Sequence, residues 1–220
     1  MLALAVLVAG IGLADSINPS TIGPALYLAT RERAVARLLA FTAGALVVSL
    51  AAGLILTLGP GQALLRLVPR PGPRVVHAVE LAVGAALVVI AVVLWFIRHR
   101  ISQRILAEEP RLSRSAFLAG GTIIAVELPT ALPYFAAIAA IIASGRSVPA
   151  QVVLLLVFNL AFVAPLLAIT LVRAVAGERA RRPLDAARRA LDRHSGAIVA
   201  AVVLLIGVAL VGVGAVGIAA

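Results

Sequence analysis

The sequence contains no cysteine. Disulfide exchange, thiolate metal binding and cysteine nucleophilic chemistry by this chain are therefore excluded. Charge is scarce as well, because only 13% of the 220 residues are charged and 63% are hydrophobic. A typical soluble domain has about 25% charged and 45–50% apolar residues. These proportions predict a multi-pass membrane protein.

Lysine is also absent, so all nineteen basic residues are arginine. We attribute this to coding bias. The net charge of +10 is compatible with nucleic-acid binding, but the arginines lie in short stretches between apolar segments. In such positions arginine sets membrane topology and contacts anionic lipid heads. We therefore expect membrane lipids as partners and no nucleic acid.

Motifs for enzymatic chemistry are missing from the sequence. The three histidines, His77, His99 and His194, lie at the ends of apolar stretches or between them, and neither Gly-x-Ser-x-Gly nor His-Glu-x-x-His occurs. His77 and Glu80 stand at helical spacing and are a weak candidate for a metal site or proton relay. We therefore expect that the protein is not an enzyme and that it has no cofactor and no metal site.

Six apolar stretches reach the roughly 20 residues that a helix needs to cross a bilayer. They predict an all-α membrane protein with six transmembrane helices. The first stretch has no basic residue ahead of it, so we expect it to be retained and not cleaved as a signal peptide. The stretches are 2–29, 38–58, 75–97, 115–143, 149–172 and 196–218.

The arginines are distributed unevenly over the connections between these stretches. Connections one, three and five, at 31–37, 98–114 and 173–195, hold fifteen of them, and the other side of the membrane holds four. Because positive charge concentrates on the cytoplasmic side, these three connections are predicted to be cytoplasmic and both termini extracytoplasmic. We expect the protein to be a multi-pass protein of the cell inner membrane.

The six stretches divide into two halves of three, at 1–97 and 115–220, joined by a cytoplasmic connector at 98–114. An odd number of spans per half means that the second half is inserted upside down, which is an inverted repeat. The two halves share a polar motif, whose register one sequence leaves open. At an offset of 109, Asn18, Thr21 and Pro24 match Glu127, Thr130 and Pro133, and at 110, Pro19 and Ser20 match Pro129 and Thr130.

Prolines interrupt the first and fourth spans, at Pro19 and Pro24 and at Pro129 and Pro133. Proline removes a backbone hydrogen bond and clashes with the preceding turn, so we expect spans one and four to be broken near mid-depth. Irregular backbone is tolerated there only where protein buries it or where it lines a wet cavity. The alternative is a structural kink healed by neighbouring hydroxyl groups.

Each broken span also carries an acid, Asp15 or Glu127. A charged residue inside a membrane is costly, which favours a function, here carrying a proton or a cation. The alternative is a structural acid that bonds to kinked backbone. The other candidate binding residues are small and polar, and Asn159 is as well explained by interhelical contact. They are Asn18, Ser20, Thr21, Thr130 and Asn159. Tyr134 fits an interface or a cavity rim.

The chain resembles the LysE superfamily of small six-span exporters at these motifs. Residues 15–20 read Asp-Ser-Ile-Asn-Pro-Ser and residues 127–133 read Glu-Leu-Pro-Thr-Ala-Leu-Pro. They are similar to the motifs of the branch containing CcdA and the DsbD transmembrane domain, except that Ser20, and either Thr130 or a deletion before it, stand where cysteines would be. The resemblance implies a cavity between spans one and four that opens alternately to each face, without the reductase activity. It extends to actinobacterial GAP-type proteins, which implies an envelope glycolipid as one cargo.

Two functions follow as expectations. The first is a proton- or cation-coupled exporter of a small solute, ion or envelope lipid through a site between helices 1 and 4. The alternative is a non-transporting scaffold subunit that assists envelope-lipid export and docks a partner through its arginine-rich connections. A homo-oligomer or an export-machine partner is compatible with both. The fifth connection is either a basic amphipathic helix on the inner leaflet or a solvated linker.

Overall fold

The computed structural model describes residues 1–59, 77, 81–82, 84–96 and 115–219. Within these ranges all regular structure is helical and no strand occurs, so the all-α prediction is confirmed. Two short 3-10 helices, Leu128–Thr130 and Gly177–Ala180, accompany the α-helices. The α-helices are α1 Leu2–Ser16, α2 Pro19–Ala29, α3 Ala34–Leu58, α4 Gly84–Phe96, α5 Ala116–Glu127, α6 Leu132–Ala143, α7 Val148–Ala176 and α8 Arg181–Ala219.

Several of these helices are suited to a membrane. Three stretches are long and apolar enough to cross one, namely Ala34–Leu58, Val148–Leu191 and Ala200–Gly217. The number rises to five if each of two bent helix pairs counts as one span. The chain is thus a multi-pass membrane protein. Six spans remain a prediction, because much of the third stretch, 75–97, and the connections at 60–74 and 98–114 lie outside the described residues.

Both bent pairs fall at the proline motifs. The α1 and α2 axes differ by 66°, and the axis of α6 differs by 75° from that of the preceding stretch Ala116–Thr130. Pro19 occupies the first turn of α2, where its missing N–H and fixed φ suit a helix start. Pro129 starts the 3-10 turn and Pro133 lies in the first turn of α6. Pro24 lies inside α2, which continues past it to Ala29, so the break precedes Pro19.

The first compact unit comprises the described residues of Met1–Leu67 and Pro110–Arg188. In it, α3 packs against α5 and α7, and α1 packs against α7 and α6. The core between these helices is largely aliphatic and includes two aromatic contacts. Phe158 of α7 meets Tyr134 edge to face at 5.5 Å and stacks on Phe162 at 6.4 Å.

Glycines allow the helices of this unit to approach closely. A Cβ atom built on Gly12 of α1 would lie 2.6 Å from the carbonyl oxygen of Phe158 in α7. Cβ atoms on Gly44 of α3 and Gly120 of α5 would overlap the carbonyl oxygens of Phe117 and Phe41. In lipid, where water does not drive apolar surfaces together, such backbone proximity is a main source of helix association.

The second compact unit comprises the described residues of Val68–Glu109 and Arg189–Ala220. It contains α4 and most of α8. Here too glycine mediates the contact, since a Cβ atom on Gly207 of α8 would lie 2.9 Å from the backbone nitrogen of Val88. The two compact units are defined by contacts between residues, whereas the predicted halves at 1–97 and 115–220 are defined by a sequence repeat. The units therefore do not test the repeat boundaries, which stay a prediction.

The Gly12 contact gives a direct test of the α1 and α7 packing. We expect Gly12→Ala to destabilise the protein by about 1–3 kcal/mol, as overpacking does, because the opposing atom belongs to backbone and cannot turn away. The measurement is the melting temperature of the purified protein in detergent. Gly10→Ala is the matched control on the same helix, because its Cβ atom would meet nothing within 4 Å. Equal melting temperatures for the two variants would contradict this packing.

Candidate functional site

The two broken spans meet through polar side chains. Asn18, in the first break, donates from Nδ2 to the Glu127 carboxylate at 2.8 Å, across 109 residues of sequence. Glu127 is the last residue of α5, and Asp15 lies in the last turn of α1. We call Asp15, Asn18, Ser20 and Glu127 the polar centre. Sequence reasoning nominated all four, and the structure brings them together.

Asn18 holds its position because its side chain serves two helices. Its Oδ1 accepts from the Ser20 backbone nitrogen at 3.0 Å, which caps α2 at its N-terminus. With Oδ1 occupied in this way, Nδ2 is directed to Glu127. The local cap and the contact between the two spans thus depend on one amide.

The polar centre contains two carboxyl groups. Asp15 and Glu127 lie near enough to interact electrostatically, and the Ser20 side chain lies close to Glu127. Carboxylate, amide and hydroxyl oxygens are the ligands of hard cations, and two neighbouring carboxylates repel unless a proton or a cation comes between them. The arrangement is therefore chemically suited to taking up a proton or a small cation. Across the described residues, no three His, Asp or Glu side chains group into a metal site.

The two candidate threonines serve the backbone at the breaks. Thr21 donates to the carbonyl oxygen of Asn18 at 3.0 Å, and Thr130 donates to that of Glu127 at 2.9 Å. Thr21 is buried and Thr130 is exposed. The Asn18 carbonyl oxygen also accepts from the backbone nitrogen of Ile22, so Thr21 adds a second hydrogen bond to it. At the end of α1, the Ser16 hydroxyl donates to the Leu13 carbonyl oxygen at 2.6 Å, as in the kink-healing alternative.

Tyr134 is a member of this region that the sequence did not place correctly. An interface or a cavity rim was expected; only 2% of the residue is exposed, so the interface position is wrong, and the cavity rim stays a prediction. Its hydroxyl donates to the Ser49 carbonyl oxygen of α3 at 2.5 Å. The sequence feature that could have predicted its burial is its position directly after Pro133, in the first turn of the half-helix α6.

Asn159 lies in the core of the same unit, on α7, and is fully buried. Its Nδ2 donates to the Leu155 carbonyl oxygen at 2.8 Å, and its Oδ1 has no hydrogen-bond partner in the part of the chain that the structure describes. Leu155 lies one turn before Asn159 on α7, and its side chain and the Tyr134 hydroxyl both border Gly53 of α3. A buried amide oxygen without a partner is costly, and Asn159 stays a candidate binding residue.

Comparison with known proteins places the whole architecture in a family. Residues 8–216 match a family described as Sap, sulfolipid-1-addressing protein. The chain belongs to the Sap family. The matched range contains both breaks and every candidate site residue, and Sap proteins are membrane proteins. No curated protein and no solved structure matches the chain. Kinship of this Sap-family chain with the LysE superfamily or its CcdA branch stays a prediction.

The contact between Asn18 and Glu127 can be measured with a double-mutant cycle. We expect Asn18→Ala and Glu127→Ala to show a coupling energy of about 0.6–1.7 kcal/mol in unfolding, the range for side-chain hydrogen bonds inside membrane proteins. The control pairs Asn18→Ala with Ser144→Ala, whose hydroxyl donates to Ile141 at the far end of α6. That pair is expected to be additive within about 0.5 kcal/mol. Additivity in both cycles would mean that the two breaks are not joined by this contact.

Proposed function

We propose that this Sap-family chain is an inner-membrane transporter of an envelope lipid that works through the polar centre with a proton or cation as coupling ion. The observation that carries the proposal is the Asn18–Glu127 hydrogen bond, which joins the two broken spans beside a second acid. Paired broken helices around polar groups are typical of transporter substrate and ion sites. The family description supports a lipid as the cargo class, since it names a sulfolipid-addressing protein.

An inverted repeat is part of the proposal, and the polar centre supports it. Asn18 and Glu127 correspond at the offset of 109, and they contact each other. Two corresponding residues contact only when both lie close to the symmetry axis. The threonine three residues after each of them, Thr21 or Thr130, donates to the carbonyl oxygen of its own partner in the same way. The two breaks therefore share this threonine hydrogen bond, although Asn18 caps the half-helix after the first break and Glu127 ends the half-helix before the second.

Helix packing supports the same symmetry. In an inverted repeat, α1 corresponds to α5 and α7 corresponds to α3. The contact of α1 with α7 then corresponds to the contact of α5 with α3, and both pairs of helices pack together. Gly12 meets Phe158 in the first, and Gly121 meets Val48 in the second. Gly12 and Gly121 correspond at an offset of 109, and Val48 and Phe158 at 110. In the proposal, alternate access arises from the half-helices of the two repeats exchanging conformations around the polar centre.

A lipid cargo needs a lateral path between the bilayer and the site. Ile17 in the first break and Thr130 in the second are both exposed, so each break reaches the protein surface as well as the polar centre. A lipid headgroup can then approach the polar groups while its acyl chains stay in the bilayer. This geometry favours a lipid over a fully water-soluble solute.

A second candidate function is a scaffold subunit that assists lipid export without transporting. Residues 173–193 favour it, because they contain seven arginines against three acids, a surface suited to an acidic partner. The two functions differ in which residues matter. A scaffold tolerates Asp15→Asn and Glu127→Gln and fails on charge reversal between Arg179 and Arg193.

Flux in proteoliposomes tests the transport proposal. The probes are fluorescently labelled sulfogalactosylceramide and phosphatidylcholine, whose exposure at the outer leaflet is read by dithionite quenching with and without a proton gradient. We expect the protein to move the sulfated lipid, and Asp15→Asn and Glu127→Gln to remove most of that flux. Ser144→Ala is the matched control and retains it. Unchanged flux in both acid variants would refute the coupling role, and no flux of either lipid would favour the scaffold.

The proposed topology has both termini and the turn between α6 and α7 outside the cytoplasm. Because the chain has no cysteine, single introduced cysteines report the membrane side without a background. Ser147→Cys and Glu32→Cys place thiols at exposed positions in the turns before α7 and before α3. With a membrane-impermeant maleimide, we expect the first to react in right-side-out vesicles and the second only in inverted ones. The reverse pattern would overturn the assigned orientation.

A further inference from the structure

Two arginines converge on one tyrosine in the first compact unit, away from the polar centre. Tyr27 lies in the last turn of α2 and is half-buried. The Arg31 guanidinium lies 4.5 Å from the centre of its ring and donates to its hydroxyl at 2.5 Å. The Arg188 guanidinium, from the start of α8, lies 4.7 Å from the same ring centre. We call Tyr27, Arg31 and Arg188 the arginine–tyrosine cluster.

The surrounding backbone fixes this cluster in place. Arg173, at the end of α7, donates from Nε to the Ala29 carbonyl oxygen at 2.9 Å and bonds to Glu178 at 2.5 Å. Its side chain is only 10% exposed. The last turn of α2 is thus tied to the last turn of α7. Leu184 of α8 is buried, and Arg188 follows it by four residues on the same helical face.

The cluster has the chemistry of an anion site at a membrane interface. A guanidinium over an aromatic ring keeps its charge, and the geometry of its N–H groups matches sulfate or phosphate oxygens. Tyrosine is enriched at the level of lipid headgroups, and basic pockets between transmembrane helices bind anionic headgroups. The charge nearby reinforces this, with an excess of arginine over acids in both 31–37 and 173–193.

We propose that the arginine–tyrosine cluster binds the anionic headgroup of a membrane lipid that carries a sulfate or phosphate group. The choice of a lipid as ligand rests on the proposed function. The polar centre holds two acids and repels an anionic group, so recognition of the headgroup requires a cationic site elsewhere. The cluster supplies that site at the end of the first broken span, on the helix that also begins at Asn18.

Native mass spectrometry of the purified full chain in detergent tests this proposal by measuring bound lipid and not flux. The probes are sulfogalactosylceramide, phosphatidylglycerol and phosphatidylcholine at equal concentrations, with glycerol 3-phosphate as a free headgroup. We expect both anionic lipids to bind more tightly than phosphatidylcholine. We expect Arg31→Gln and Arg188→Gln each to weaken that binding about fivefold, the effect of removing one interfacial arginine.

The matched control is Arg146→Gln, which removes the same charge in the turn before α7, at the opposite end of that helix from Arg173. It is expected to leave lipid binding unchanged. Equal loss in all three variants would overturn the proposal in favour of general charge attraction. Equally tight binding of free glycerol 3-phosphate would overturn the lipid as ligand. If Asp15→Asn and Glu127→Gln lose flux but still bind the headgroup, the result supports the arginine–tyrosine cluster as a separate binding site. If the protein binds the headgroup selectively but shows no flux at all, the transport proposal is refuted and the binding proposal is not.

Discussion

Every broken helix inside a membrane must find partners for the backbone groups that the break releases, and this requirement organises the first compact unit. Ser16 donates to the Leu13 carbonyl oxygen before the first break, Thr130 donates to that of Glu127 at the second, and Asn18 caps the helix that starts after the first. Asn18 has a second function, because the amide group that remains after capping reaches Glu127 in the other half of the chain. A local need for hydrogen bonds thereby becomes a contact between two spans. The contact also places Glu127 beside the span that carries Asp15.

Close packing by glycine makes the polar centre possible. Gly12 lets α1 lie against the backbone of α7, and Gly44 and Gly120 do the same for α3 and α5. Asp15 lies one turn beyond Gly12 on α1, so the close approach at Gly12 also brings its carboxyl group inward. Tyr134 completes this arrangement, since its hydroxyl reaches the backbone of α3 beside Gly53. The polar residues therefore depend on small residues that carry no chemistry themselves.

Much of this could be read from the sequence, for identifiable reasons. Apolar length located the described spans, because a bilayer requires about 20 apolar residues, and the proline motifs indicated where two of them bend. Aligning the halves paired Asn18 with Glu127, which the structure joins directly. The contact of Tyr134 with α3 was not predicted, because a single tyrosine in a sequence does not indicate which carbonyl group its hydroxyl will contact. Pro24 showed the limit of the proline rule, since α2 continues through it. For the arginine-rich stretch after α7, the sequence was compatible with either a helix or a linker. The structure has a helix from Arg181, and Ala180 and Leu184 are buried there.

The separation of charge within the first unit links cargo to coupling ion in the proposed mechanism. Acids occupy the polar centre, and arginines surround Tyr27 at the far end of α2. An anionic headgroup is attracted to the arginines but meets repulsion at the acids, and this repulsion is strong where water is scarce. Uptake of a proton or cation between Asp15 and Glu127 removes the repulsion. In the proposed mechanism, passage of the headgroup then requires a loaded polar centre, so the order of charges along one broken span provides the coupling.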